Sequence, residues 1–178
     1  MITDKERKKS TERAIATLKK ANIVITDAER QHIEVADFGL GEIEKTGLQI
    51  LTYINTDRVC AKEMVLLPNQ TCPEHTHRVQ GDNPGKEETF RCRWGVVYLY
   101  VDGLPTQNCH VKPPEAPQGA YTVFHEIELK PGEQYTIMPG TKHWFQSGAN
   151  GAVVSEFSTH SADETDTFTD GRVVRVER

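Results

Sequence analysis

Two histidines separated by one residue, in Pro73-Glu74-His75-Thr76-His77, constrain this chain more than any other feature. Side chains at i and i+2 leave an extended strand on the same side, so both imidazoles can address one point inside a sheet or barrel. This spacing is a metal-ligand geometry. The residues that follow, Gly81-Asp82-Asn83-Pro84-Gly85-Lys86, have the composition of a turn that sends the chain back antiparallel. Glu88 then opens the next strand, Glu88-Thr89-Phe90-Arg91-Cys92-Arg93-Trp94-Gly95, with its carboxylate free to close on the same ion. A fourth ligand stands far downstream, where the Pro139-Gly140 turn is followed by His143 entering a strand.

His75, His77, Glu88 and His143 together form a nitrogen and oxygen donor set without thiolate, which suits Mn, Fe, Co, Ni or Zn and leaves up to two octahedral positions open. Cys60, Cys72, Cys92 and Cys109 show no paired spacing, and the N-terminal residues lack the apolar run of a signal peptide or a spanning helix. We therefore expect free thiols, a reducing cytoplasm and no membrane partner. The balance of 21 Lys and Arg against 26 Asp and Glu argues against a nucleic-acid footprint and favours a small neutral ligand. With 178 residues the chain buries about two thirds of its unfolded surface without help from a metal, which predicts one structural domain.

Capping boxes at Thr3-x-x-Glu6 and Thr26-x-x-Glu29 open two helices. The first carries a thin apolar stripe, Ala14, Ile15, Leu18 and Ala21, and the second carries Ile33 and Val35 toward Gly39-Leu40-Gly41, whose glycines end it. Residues 1–46 thus read as a helical segment packed on the rest. From Gly47 onward alternation takes over, and strands are expected at 48–54, 59–67, 95–101, 121–129, 135–138, 141–147, 152–158 and 172–176. The expected fold is mainly β, a barrel over 47–178. The loop holding Pro105, Pro113, Pro114 and Pro117 is too rigid and polar for a core and is placed over the outside or at the rim. The acidic run between Ser161 and Asp170 reads as a solvated loop, with a lid over the pocket as the second reading.

The His75-x-His77, Glu88, Gly95 and Pro139-Gly140-x-x-His143 pattern resembles the paired motifs of the cupin superfamily. Its gap between the second histidine and the glutamate is longer than usual, the spacing from proline to histidine is one residue tighter, and Ser147 stands where asparagine is common. No ligand is lost. Thr71-Cys72-Pro73-Glu74-His75-Thr76-His77, Lys86-Glu87-Glu88-Thr89-Phe90-Arg91-Cys92, Lys142-His143-Trp144-Phe145-Gln146 and Val153-Val154-Ser155-Glu156-Phe157-Ser158 are similar to the bacterial D-lyxose ketol-isomerases, single-domain cupin sugar isomerases. The resemblance covers the chain from about Gly39 onward. It implies a double-stranded β-helix, or jelly-roll, barrel and conversion of D-lyxose to D-xylulose, and of D-mannose to D-fructose. It also implies one divalent ion per chain, manganese first and Zn, Fe, Co or Ni as alternatives, and a homodimer.

Aldose to ketose conversion moves a proton between C1 and C2. Glu156 lies in an apolar strand, where an inward carboxyl is tuned toward acid/base work and an outward one is merely solvated. The resemblance favours the catalytic role. Lys62 shares a strand face with Cys60, Met64 and Leu66, so it either snorkels at the barrel mouth or faces the site as an oxyanion-stabilising cation. Glu63, on the other face, is expected at the surface. Trp94, Tyr98, Trp144 and Phe145 are candidates to stack on a sugar, although strand aromatics usually belong to the core. His125 and His160 fall outside the motifs and are not expected to be ligands. Two other functions fit the same site, a metal-dependent oxygenase and a non-catalytic sugar-binding module, because one barrel hosts many chemistries.

Overall fold

Two long antiparallel strands carry the architecture in the computed structural model, which describes residues 1–79, 81 and 84–175. Strand β5 (Glu88–Val101) pairs along nearly its whole length with β8 (His143–Ser158), from Glu88 opposite Ser158 to Val101 opposite His143. The first half of β8 also pairs β4 (Thr71–Thr76), and the second half pairs β3 (Cys60–Leu66). The far edge of β5 takes β7 (Gln134–Ile137) at one end and β6 (His125–Leu129) at the other. Beyond β3 the sheet continues through β2 (Leu48–Asn55) to β1 (Glu34–Ala36), and beyond β4 it ends on β9 (Thr167–Phe168). The result is a curled, mainly β half-barrel of the cupin type.

The curl needs a bend in β5, and bulges between Cys92 and Trp94 and between Gly95 and Val97 supply it. Gly95 has φ +72° there, and a Cβ would lie 2.0 Å from the Gly151 carbonyl oxygen, so only glycine fits. Inside the curl Leu48, Ile50, Met64, Leu66, Phe90, Leu99, Phe145 and Val154 form one apolar core. The outer face of β2, β3 and β8 presents Leu51, Val65 and Val153, which helix α1 (Asp4–Lys20) covers with Ala14 and Leu18. Full burial of Leu18 contributes about 2 kcal/mol.

Both capping boxes form as expected, with Thr3 and Glu6 exchanging hydrogen bonds at the start of α1, and Thr26 and Glu29 at that of α2 (Asp27–Gln31). Helix α2 is shorter than expected. It spans Asp27–Gln31, and Ile33 and Val35 are not on it: Val35 pairs with Gln49 in β1, because the open edge of β2 satisfies the backbone better than another helical turn. The strand expected at 172–176 is also absent from 172–175, with Val176 outside the described residues. The chain instead forms β9 earlier, where Phe168 pairs with His75. The strands expected at 141–147 and 152–158 are one continuous strand, β8.

The proline-rich loop lies over the outer face of β5 and β8, as expected, and Tyr100 and Trp144 stack beneath it at 3.9 Å. Trp144 Nε1 donates to the Val123 carbonyl at 2.8 Å. The four cysteines are free, and no described helix is long and apolar enough to cross a membrane.

Candidate active site

Strand register brings the histidines together. His75 and His143 are direct partners between β4 and β8, with ring centroids 4.2 Å apart, and His77, just past the end of β4, lies 4.9 Å from His75 and 5.3 Å from His143. All three are buried, and one ligand nitrogen from each lies within 4.8 Å of the others. Glu88, at the start of β5, places Oε1 3.1 Å from His77 Nε2 and 3.0 Å from His143 Nε2. The turn expected between His77 and Glu88 falls partly on Gln80, Asp82 and Asn83, which lie outside the described residues.

The outward nitrogen of each ring fixes its tautomer. His75 Nδ1 meets the Pro73 carbonyl at 2.8 Å, His143 Nδ1 the Thr141 carbonyl at 3.0 Å, and His77 Nδ1 the Asp166 carboxylate at 2.5 Å. Each Nδ1 therefore donates and turns Nε2 inward; on His75 and His143 that nitrogen carries a lone pair, and on His77 it faces the Glu88 carboxylate, so an ion bound there would replace a proton. His143 Nε2 is buried with no aligned hydrogen-bond partner although Glu88 Oε1 is near, as a ligand atom aimed at a shared ion would be. The three histidines can hold a metal ion. Burial pushes the His75 pKa well below the usual imidazole value, keeping it neutral. Burial also lowers that of His77, but Glu88 and the Asp166 hydrogen bond together outweigh it and carry the pKa up to about 9.

A cluster of charges sits beside the histidines. Glu156 and Lys62 are direct partners across β8 and β3, and both are buried and line the same narrow cleft as His75 and His77. The solvent-facing alternative for Glu156 and the snorkelling alternative for Lys62 are thus removed. Lys62 Nζ donates to Ser161 Oγ at 2.8 Å and to Asp163 at 2.5 Å. Lys86 Nζ lies 2.7 Å from Glu156 and 2.9 Å from Glu88. Burial opposes its charge, but Glu156, Glu88 and Asp163 outweigh that and hold its pKa well above the ordinary lysine value. Glu88 is likewise pushed up by burial, then drawn well below the carboxylate range by Lys86 and His77. Phe38, Leu48, Ile50, Met64 and Phe168 form the apolar wall.

Two expectations are corrected. Glu63 is buried, not at the surface: it accepts from Ser155 Oγ at 2.8 Å on the sheet face beneath the helical layer, and burial raises its pKa. The acidic run is not a solvated loop, because Asp163 and Asp166 turn inward and line the cleft, leaving Glu164 and Thr165 exposed. Of the aromatic candidates, Phe145 reaches the cleft. Trp94 packs toward α1, Tyr98 stacks on His110, and Trp144 lies under the proline-rich loop. His125 and His160 bond backbone carbonyls away from the cleft.

Asp163 makes a testable contribution to stability. Burial alone would raise its pKa, but Lys86 and Lys62 depress it far below the ordinary carboxylate value. Such a group stabilises the fold above its unfolded pKa and loses that contribution as pH falls toward the folded value. Asp163→Asn should therefore cost about 3 kcal/mol at neutral pH. The difference from wild type should narrow steadily below about pH 4. Urea midpoints across pH measure this, and a constant difference would contradict it.

No protein-family model matches the chain. A D-lyxose/D-mannose isomerase from Thermosediminibacter oceani is 60% identical over 176 residues, covering 99% of this chain and 97% of that protein. The chain belongs to the D-lyxose ketol-isomerase family. Another member, the D-lyxose ketol-isomerase of Cohnella laeviribosi, is 57% identical over 171 residues, 96% of this chain and 94% of its own. Among solved structures, unliganded Cellulomonas parahominis L-ribose isomerase is similar with TM-score 0.71 at 16% identity, covering 99% of this chain and 96% of that one. Acinetobacter sp. DL28 L-ribose isomerase in complex with L-ribose matches with TM-score 0.71 at 15% identity, over 97% and 94%. At such identity these two establish the shared fold.

Lys86, Asp163, Asp166 and Arg175 line the cleft without having been singled out from sequence. Lys86 carried a signal: it stands two residues before Glu88, on the same side of an extended chain. The other three come from the distant C-terminal segment, where no local pattern marks them.

Proposed function

We propose that this member of the D-lyxose ketol-isomerase family interconverts D-lyxose and D-xylulose, and D-mannose and D-fructose, with one divalent ion per chain. His75, His77, Glu88 and His143 would hold the ion, manganese first. The observation that carries this reading is the convergence of three inward imidazole nitrogens and Glu88 in a buried cleft shared with the Glu156 carboxylate. A divalent ion there supplies Lewis-acid stabilisation of negative charge on the sugar oxygens.

The chain's own groups supply the rest. Glu156 takes the proton from C2 of the aldose and returns it to C1, while the hydroxyl proton of O2 passes to O1, so the route runs through an enediol and gives the isomeric ketose with all atoms accounted for. Lys86 and Ser158, 2.7 and 2.9 Å from its Oε1, fix its direction. Lys62 and Lys86 bring positive charge to the wall where oxygen charge develops, and the apolar wall keeps water from weakening it. Glu156 and Lys62 are thus the proposed catalytic pair, with Lys86 added by its position.

Metal-stripped protein supplied with single divalent ions and D-lyxose or D-mannose, in the absence of dioxygen, tests the reading. Ketose should form, fastest with manganese, and should need no oxygen. Failure to form ketose with any ion would overturn it.

We also propose that residues 1–46 and the barrel over 47–178 fold as one unit in a reducing cytoplasm, and that two copies pair. Ile54, Ala61 and Phe157 stand in register across β2, β3 and β8, with Ile54 and Phe157 about half exposed, an apolar row suited to a second copy. Light scattering should give the mass of a dimer, and a monomer at micromolar concentration would exclude the pairing.

A further inference from the structure

The histidines of the centre are not oriented alike. His75 and His143 each lean on the carbonyl of the residue two positions earlier, a support contained within their own strand ends. His77 instead leans on Asp166, a side chain 89 residues away in the segment that follows β8. That segment is held by contacts of its own. Asn55 Nδ2 donates to the Ser161 carbonyl at 2.8 Å, and the Ser161 amide donates back to Asn55 Oδ1 at 3.1 Å. Asp163 pairs with Lys62. Thr169 donates from Oγ1 to the buried Glu74 carboxylate at 2.7 Å and from its amide to the Glu74 carbonyl at 3.0 Å. Between these anchors β9 pairs Phe168 with His75, and the two rings lie 5.4 Å apart.

We propose that Asp166 is a positioning residue for His77, and that through it docking of the strap at 161–170 and ion binding are linked. The proposal rests on the reading of His77 as a ligand and deepens it. A carboxylate that accepts the Nδ1 proton fixes the ring's orientation, presents the Nε2 lone pair inward and raises its basicity more than a neutral carbonyl does. Because the carboxylate belongs to the strap, a strap out of place leaves His77 without its support. The linkage is reciprocal, so an ion on His77 must hold the strap down by the same factor by which the docked strap tightens the ion. Phe168 and Asp163 travel with the strap, so ion loading also completes the apolar wall and the charge pair with Lys62.

The test compares wild type, Asp166→Ala and Asp166→Asn in two measurements independent of turnover. The first is Mn2+ affinity, by competition with a chelator. Asp166→Ala should bind the ion about 10 to 100-fold more weakly. Asp166→Asn keeps an oxygen that accepts the Nδ1 proton and should recover much of the loss. The second is amide exchange at Thr165, Asp166 and Thr169, whose amides bond within the strap or to Glu74. Mn2+ should slow it in wild type and slow it much less in Asp166→Ala. Unchanged affinity in Asp166→Ala overturns the proposal, as does exchange in wild type that ignores the ion. If Asp166→Ala fails to fold, affinity in Asp166→Asn decides, and a value equal to wild type together with ion-insensitive exchange overturns it. Failure of the underlying reading looks different: wild type would bind no ion, or His77→Ala would bind it equally well.

Discussion

Glu156→Gln is expected to lower turnover of D-lyxose by at least about 100-fold, the usual cost of a lost general base, without changing ion content. Glutamine keeps the length and shape of the side chain and can still receive the Ser158 hydroxyl, but it cannot take a proton from carbon. The surroundings tolerate the change. Lys86 loses one of its partners, yet it remains 2.9 Å from Glu88 and 3.7 Å from Asp163, so the buried ammonium is still compensated. The strand itself is held by backbone pairing of Glu156 with Lys62 on one side and Phe90 on the other. Turnover and ion content measured on the same preparation separate the proton shuttle from the centre, and near-normal turnover would remove Glu156 from the mechanism. Ketose formed in heavy water by wild type should carry deuterium at C1, as a proton passed through an exchangeable carboxylate does.

The same strand shows why so much of the site was legible in the sequence. Period-two alternation puts Glu156 on the face of Val154 and Ala152, and Lys62 on that of Met64 and Leu66, and these residues meet in register inside the curl. His75 and His143 were legible by motif and spacing. Alternation fails, however, to say which face is wet. Glu63 was placed at the surface because it opposes Lys62, but both faces of β3 are covered, one by the core and the other by α1, so a polar residue on either is buried. The short β1 was misread because Ile33 and Val35 follow a good helix start, and only the distant edge of β2 decides their conformation. Asp163 and Asp166 were hidden for a related reason. An acidic run looks solvated until its cationic partners, Lys62 and Lys86 for the first and a histidine for the second, are brought in from the far end of the chain.

Substituting alanine for any one of His75, His77 and His143 should abolish turnover and bring ion content close to zero, while the far-ultraviolet circular dichroism stays that of a β protein. The loss is expected to be near complete because, in the proposed centre, each ring would contribute one of only four donors. Its neighbours cannot move in, because His75 and His143 are each tied by Nδ1 to a backbone carbonyl and His77 is tied to Asp166. The fold should survive because β4, β5 and β8 are joined by backbone pairing and by a core of Phe90, Leu99, Phe145 and Val154 that the histidines only border. The three variants should nevertheless differ in stability. His143 is fully buried, so its removal leaves a void against Phe90. His77→Ala leaves Lys86 beside Glu88, but strands Asp166 without its ring. Both should therefore melt earlier than wild type with the ion removed from each, and His75→Ala, whose ring bonds only the Pro73 carbonyl, should melt closest to it. Elemental analysis beside the melting curves is the deciding measurement: a folded variant that keeps a full complement of ion and its turnover would mean that the ring removed is not a ligand.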